Sequence, residues 1–174
     1  METKTLSTGK AALIYGLILG AIGVAFSVIL RIMELDYQRN WANTVISILL
    51  IIILIVVGIY QFKTSNGGFL SLKDALKVGI GVALIGSIIS IIYLLLLTNV
   101  IAPDFVDKSF ELAKPAMQEQ YPKMSSSQID DIIATQKKYF WITYPTIVIF
   151  NLFIGFVTAL ITGLALKKTD NTDY

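Results

Sequence analysis

The sequence has no cysteine and no histidine, and only 15% of its 174 residues are charged. The missing cysteine and histidine exclude disulfide bonds, thiolate chemistry, zinc sites of the usual kind and the commonest general base. Ordinary soluble domains contain about a quarter charged residues, so the low charge is typical of a membrane protein. The net charge is only +2 and the lysines are scattered, which argues against nucleic acid as a partner.

Apolar residues, in contrast, make up 55% of the chain, and the mean hydropathy is +0.73. They form four runs that each reach the roughly 20 residues a helix needs to cross a hydrocarbon core of about 30 Å. None shows the polar face of a soluble helix, and backbone groups in lipid must be satisfied within the helix. We therefore predict an all-α polytopic membrane protein, one four-helix transmembrane domain over residues 1–174, with spans at about 11–33, 44–62, 76–97 and 142–166.

The charges between the spans predict the orientation. The termini and the second loop hold seven lysines in short segments, whereas the first and third loops spread seven lysines and arginines over a longer stretch. The denser positive charge places both termini in the cytoplasm, and both tryptophans, Trp41 and Trp141, fall at the opposite face. The first run is longer than the apolar core of a cleaved signal peptide, so we expect it to be retained as a span.

A polar helical arm, residues 98–141, separates the third span from the fourth. In its first half, apolar residues recur at helical spacing with charged residues opposite, which indicates an amphipathic helix that ends or kinks near Pro115. A second amphipathic helix begins at "MSSSQIDDI", where Ser125 and Gln128 have the spacing of a capping box. Roughly 40 residues are too few for an independent core, so the arm must lie on the bilayer, on the spans or on a partner.

The stretch "SNGGFLSLKDALKVGIG", residues 65–81, contains two adjacent glycines but lacks the Gly-Lys-Ser/Thr ending of a phosphate-binding loop. Gly67 and Gly68 instead predict a tight turn, an elbow between the second and third spans. Ser71 can cap the next helix, whose first turn includes Asp74. Lysines near the elbow can reach the head groups of anionic membrane lipids. These candidate head-group contacts are Lys63, Lys73 and Lys77.

Small residues repeat every four positions in three of the four spans. Such rows let helix backbones approach closely. This matters in lipid, where the hydrophobic effect contributes little to the association of helices. They predict a bundle centred on the first, third and fourth spans, with the second more exposed to lipid. The open alternative is that membrane helices are simply rich in glycine and alanine. The predicted packing residues are Gly16, Gly20, Gly79, Ala83, Ser87, Asn151, Gly155, Ala159 and Gly163.

Asn151 is the one strongly polar residue near the middle of a span. Because it lies on the small-residue row of the fourth span, we expect it to form a hydrogen bond with another helix. The alternative is that its amide contacts a substrate.

The chain resembles a bacterial family called domain of unknown function 4199, over nearly its whole length. The resemblance lies in the segments "GGFLSLKDALKVGIG", "IISIIYLLLL", "IAPDFVD" and "MSSSQIDDI", and in a last span that ends with "ALKK". It implies four membrane spans, a polar segment between the third and fourth, and a place in the inner membrane of Gram-negative bacteria. The resemblance implies no activity, no cofactor and no catalytic residue.

No ionisable residue lies in the central part of a span, which argues against ion-coupled transporters, proton relays and intramembrane proteases. We therefore expect no catalytic residue, no metal ligand, no cofactor and no enzymatic activity. The leading hypothesis is an accessory or scaffold subunit, which binds a membrane-protein partner or itself through the small-residue faces and the arm. One alternative is a facilitator or binding protein for a small neutral or apolar solute near Asn151, Thr158 and Thr162. A third hypothesis is a lipid-surface sensor that uses the three lysines of the elbow.

Overall fold

The structure, a computed structural model, describes residues 6–35 and 41–168. Within these ranges the chain is all-helical and has no named β-strand. The helices are α1 (Thr8–Ile32), α2 (Trp41–Ser65), α3 (Leu72–Leu96), α4 (Phe105–Gln120), α5 (Ser126–Lys138) and α6 (Thr143–Leu166). A π-helical turn, Leu97–Ile101, extends α3, and a 3-10 turn, Phe140–Ile142, precedes α6. Residues 1–5, 36–40 and 169–174, which belong to the predicted domain 1–174, lie outside the described residues.

Four helical stretches are long and apolar enough to cross a membrane. They are Thr8–Ile32, Trp41–Ser65, Leu72–Ile101 and Phe140–Leu166. The prediction of a helical multi-pass membrane protein is therefore confirmed at the level of length and composition. α2 is longer than the predicted 44–62 because polar residues continue the helix beyond its apolar part. Thr64, for example, donates its hydroxyl proton to the carbonyl of Tyr60 within the same helix.

Serine side chains begin two of the membrane-length helices. Ser7 accepts a hydrogen bond from the backbone N–H of Lys10 at the start of α1. Ser71 accepts one from the N–H of Asp74 at the start of α3, as predicted, and donates its own proton to the Asp74 carboxylate, 2.6 Å away. The backbone N–H groups in the first turn of a helix have no partner within the helix, and these serine oxygens accept hydrogen bonds from two of them.

α3 lies at the centre of the bundle, where it contacts α1, α2 and α6. α2 also contacts the other three, whereas the described backbones of α1 and α6 do not approach each other. The prediction that the second span is more exposed to lipid is wrong for its second half, where Ile55, Gly58 and Ile59 are buried. A bulky residue is needed there, because Ile55 fills the space beside Gly79 of α3.

The buried residues of the spans are concentrated toward one end of the bundle. We call the end with loop 66–71, which joins α2 to α3, the elbow end, and the opposite end, which holds α4 and α5, the hairpin end. Buried residues occur within 11–20 of α1, 55–62 of α2, 75–87 of α3 and 155–163 of α6. Beyond these ranges, toward the hairpin end, Leu97 in the turn after α3 is the one buried residue among the described residues of the spans. The spans are therefore closely packed at the elbow end and loosely packed at the hairpin end.

Helices α4 and α5 lie antiparallel and form what we call the hairpin, residues 105–138. The prediction that the first arm helix ends or kinks near Pro115 has to be corrected in one respect, since α4 continues past this proline to Gln120. The predicted capping box of α5 is confirmed: the Ser125 side chain accepts from the N–H of Gln128, and the Gln128 side chain accepts from the N–H of Ser125.

Candidate functional site

The small residues of α3 and α6 face each other across one contact, which we call the α3–α6 seam. Because the helices are antiparallel, their rows meet in reverse order, in the pairs Ala75–Gly163, Gly79–Ala159, Ala83–Gly155 and Ser87–Asn151. A Cβ atom added to Gly155 would lie 2.6 Å from the Cβ of Ala83, and one added to Gly163 would lie 2.8 Å from the Cβ of Ala75. The two backbones are therefore as close as these small side chains allow.

Asn151 supplies the polar pair of the seam. Its side-chain amide donates a hydrogen bond to Ser87 Oγ, 3.1 Å away, and Ser87 donates in turn to the carbonyl of Ala83 at 2.7 Å. Asn151 is half-buried and Ser87 is completely buried. The structure thus places Asn151 in an interhelical hydrogen bond, the first of the two roles that its position on the row suggested.

The other two residues of the solute hypothesis, Thr158 and Thr162, lie further along α6 and are buried in the elbow half. Neither they nor Asn151 line any of the cavities described below. Asn151, Thr158 and Thr162 therefore lie on packed helix surfaces and do not line a shared cavity.

Helix α1 packs against a different face of α3. Gly16 lies against Ile85, whose Cβ would be 2.6 Å from an added Cβ, and Gly20 lies against Ile89. Two glycines of α3 that the sequence analysis missed, Gly81 and Gly86, take part in the same contact. They lie opposite Ala12 and Leu19 of α1. Their five-residue spacing hides them from a search for four-residue rows.

Ala75 was also missed, although it could have been found by continuing the row Gly79–Ala83–Ser87 four residues backward. All the predicted packing residues, and Ala75 with them, contact other helices of the same monomer. The small-residue faces are occupied by contacts between helices of the same chain.

The elbow has the backbone that its two glycines predict. Gly67 and Gly68 have φ angles of +65° and +84°, in the left-handed region that favours glycine. The N–H of Gly68 donates to the carbonyl of Lys63 at 2.9 Å and so ends α2. Beyond the turn, Leu70 exchanges two backbone hydrogen bonds with Lys168, of 2.9 and 3.0 Å. The elbow therefore joins the end of α6 to the start of α3.

The predicted lipid-contacting lysines all lie at the elbow end. Lys63 is half-buried in the last turn of α2, and Lys73 and Lys77 are exposed near the start of α3. Three more described lysines share this end, whereas Asp74 is the one acidic residue described there. The additional lysines are Lys10, Lys167 and Lys168. Contact between this positive end and lipid head groups stays a prediction.

The hairpin is held together by polar contacts between its two helices. Lys137 Nζ lies 2.7 Å from the carboxylate of Asp107, and Lys114 forms a second ion pair with Asp130. Gln118 donates a hydrogen bond to Ser126 Oγ at 3.0 Å.

The first residue of α4, Phe105, follows an acidic N-cap residue, Asp104. The hydrogen bond from Lys108 lowers the pKa of the Asp104 carboxyl below its ordinary value of 3.8, and the charges of Lys108 and Arg31 act in the same direction. The base of the hairpin is thus a small cluster of opposite charges.

A groove of about 550 Å³ runs between the hairpin and the beginning of α6. Its walls are mostly aromatic and aliphatic, and Gln136, Thr143 and Thr146 supply the polar part. The aromatic residues are Phe110, Tyr139, Phe140 and Phe150. This groove lies in the loosely packed half of the molecule and is open to the surroundings.

Comparison with known proteins identifies the family of the chain. The model of the family described as "Protein of unknown function (DUF4199)" matches residues 14–168, which include most of the first span, the other three spans and the hairpin. The chain therefore belongs to this family. No curated protein and no solved structure matches it.

Proposed function

We propose that this chain is a non-catalytic accessory protein of the membrane, which binds another membrane protein through its hairpin end. The proposal depends most on the unequal packing of the bundle. Nearly all the buried residues of the spans lie toward the elbow end, and the helix surfaces toward the hairpin end are open to contact.

The small-residue faces are poor candidates for the partner's binding site. Gly16, Gly79 and Gly155 already lie against side chains of neighbouring helices in the same chain. A partner could reach them only if the monomer came apart. We therefore place the binding surface on the hairpin and on the groove below it, and not on the small-residue rows.

The hairpin has the pattern of an amphipathic pair of helices. The predicted apolar stripe of α4 is half-buried, whereas the charged residues opposite, such as Asp107 and Glu111, are exposed. Ile129 and Ile133 are the buried residues of α5. These two isoleucines supply little core, and within the described part of the chain the hairpin backbone contacts only the π-helical turn before it and the 3-10 turn after it. Such a structure gains stability and orientation from a partner that covers it.

The groove supplies the kind of side chains that bind partner proteins. Aromatic residues are enriched where interfaces contribute most of their binding energy, because they bury a large area and lose little conformational freedom. Phe150 is 49% exposed on the α6 side of the groove, and Trp141 is 60% exposed beside it. A helix of another membrane protein is the partner that fits this location.

Photocrosslinking in intact membranes tests the proposal. A photoreactive phenylalanine analogue replaces Phe150 in the groove, and as a matched control the same analogue replaces Tyr60, which is 56% exposed on α2 in the elbow half. We expect a discrete protein adduct from the first position and not from the second. Adducts between two differently tagged copies would identify the partner as the chain itself. A chain that yields only lipid adducts from both positions would contradict the proposal.

We also propose that the protein lies in the inner membrane of a bacterium, with the elbow end in the cytoplasm. The support for this orientation is the denser positive charge at the elbow end, where six lysines lie in short segments. Because the chain has no cysteine, Gln120→Cys in the hairpin and Thr64→Cys near the elbow each introduce a single thiol. An impermeant maleimide added to intact cells from which the outer membrane has been removed should label the first variant and spare the second. The opposite pattern would overturn the orientation.

A further inference from the structure

A cavity of about 300 Å³ lies in the loosely packed half of the bundle and shares one lining residue, Ile147, with the groove. Its walls come from α1, α3 and α6, and the base of the hairpin covers one side. The lining residues that matter for its chemistry are Gly23, Ser27, Ser90, Leu94, Phe105 and Ile147. We propose that this cavity is a binding site for a single hydrocarbon chain.

The cavity begins where the close contact between α1 and α3 ends. Gly16 and Gly20 hold α1 against α3, but the next position of that row is Val24, which lines the cavity. A Cβ atom added to the neighbouring Gly23 would meet no atom within 4 Å. The wall at Gly23 is therefore open space, in contrast to the walls at Gly16 and Gly20.

Phe105, the first residue of α4, closes the cavity on the side of the hairpin. Its ring lies 5.9 Å from the guanidinium carbon of Arg31, the basic residue in the last turn of α1. Leu97, which is buried in the π-helical turn after α3, completes this side. Side chains from three elements thus separate the cavity from the polar end of the molecule.

Two of the three hydroxyl groups in the lining, those of Ser27 and Ser90, have their protons occupied, and the third belongs to Tyr93. Ser27 donates its hydroxyl proton to the carbonyl of Gly23, and Ser90 donates to the carbonyl of Gly86, both at 3.0 Å. Such bonds within a helix leave a serine with little to offer a polar ligand. The rest of the named wall is aliphatic or aromatic, so the surroundings favour an apolar ligand.

The size and depth of the cavity favour a chain over a bulkier molecule. Its volume lies at the lower end of the range for small-molecule sites, about 300 to 1,000 Å³. At 1.5 Å per residue, Gly23 lies roughly 14 Å along α1 from its end at Ile32. This is the depth at which lipid chains lie below their head groups in a core about 30 Å thick. A membrane phospholipid and a free fatty acid both carry such a hydrocarbon chain, and this chain is the chemistry that they share.

Two photoreactive probes distinguish these sources: a fatty acid and a phosphatidylethanolamine, each with a diazirine on its chain. The protein is placed in lipid nanodiscs of phosphatidylethanolamine and phosphatidylglycerol, and the labelled peptides are mapped by mass spectrometry. We expect one of the probes to label residues 23–30 and 90–97. Labelling by the phospholipid probe would identify a membrane lipid as the source, and labelling by the fatty-acid probe alone would identify a free acid.

The variant Gly23→Leu fills the cavity, and the matched control, Ala25→Leu, adds the same side chain at an exposed position two residues away on α1. We expect labelling of the cavity residues to fall about tenfold in the first variant, a loss of about 1.4 kcal/mol, and to stay unchanged in the second. Equal labelling of the two variants would overturn the proposal, as would labelling confined to the outward faces of the helices. A thermal unfolding curve confirms that Gly23→Leu is folded, which the open space at Gly23 predicts. The outcome is distinguishable from that of the proposed protein partner, because neither the substituted residues nor the peptides 23–30 and 90–97 line the groove.

Discussion

The amide of Asn151 on α6 and the hydroxyl of Ser87 on α3 are joined by a 3.1 Å hydrogen bond, at the point where close packing of the seam gives way to the open half of the bundle. The bond matters because little else distinguishes one helix orientation from another in lipid. Apolar side chains gain little by exchanging contact with lipid for contact with protein. Polar pairs and close backbone contacts therefore determine how the helices are arranged.

The replacement Asn151→Leu should lower the free energy of unfolding by about 0.6 to 2 kcal/mol, the range for hydrogen bonds between membrane helices. Unfolding in mixed micelles measures the change. The replacement Asn99→Leu is the control, because the Asn99 side chain is exposed and its amide donates within its own helical segment to Leu95. A double-mutant cycle with Ser87→Ala isolates the bond itself, and a coupling energy of zero would show that the two side chains do not interact.

The seam predicts a large difference between two identical substitutions. A methyl group added by Gly79→Ala would overlap the Cβ of Ala159, and neither backbone can yield without parting the helices. We expect a loss of about 1 to 3 kcal/mol of unfolding free energy. Gly9→Ala, near the start of α1, adds the same group where no atom lies within 4 Å. It should be neutral or stabilise by up to about 1 kcal/mol, since alanine favours a helix. Equal effects from the two variants would contradict the close contact.

The elbow allows a test in which no side-chain contact is involved. Gly68 has φ of +84° and no atom within 4 Å of an added Cβ. The variant Gly68→Ala should therefore destabilise through the backbone alone, by about 1 to 2 kcal/mol. Gly68→Asn should cost less, because asparagine tolerates the left-handed region. Unfolding curves of the two variants decide the point, and an alanine variant as stable as the parent would show that the turn relaxes without strain.

Much of this fold follows from local properties of the sequence. The number of spans, the caps at Ser71 and Ser125 and the turn at Gly67 each depend on a few neighbouring residues, and so they could be predicted. Rows of small residues similarly marked the faces that pack.

The sequence does not indicate which small-residue row packs against which other helix. The pairing of Gly79 with Ala159 depends on the antiparallel register of two helices, and the burial of Ile55 depends on a space between three of them. The cavity beside Gly23 is harder to predict, because it forms where neighbouring helices diverge. No residue type in the sequence indicates such a divergence.

The charge cluster at the base of the hairpin predicts a titration. Since Lys108 donates to Asp104 and lowers its pKa below 3.8, Lys108→Met should raise that pKa toward the ordinary value. Any contribution of the pair to stability is present above pH 3.8 and is lost as the pH falls through the lowered pKa of the folded state. Carboxyl carbon chemical shifts of Asp104 between pH 2 and pH 6 measure both values. A pKa that does not respond to the substitution would show that Lys108 is not the cause.

The hairpin permits a comparison between a helix cap and an ion pair. Ser125→Ala removes a cap in which two hydrogen bonds are reciprocal, and it should cost about 1 kcal/mol of hairpin stability. Asp107→Asn breaks the ion pair with Lys137 between two exposed or half-exposed side chains, so it should cost less, between zero and about 1 kcal/mol, and the cost should shrink in high salt. Amide hydrogen exchange across α5 measures both effects in one experiment. Faster exchange in the Asp107 variant than in the Ser125 variant would mean that the ion pair, and not the local cap, holds this helix in place.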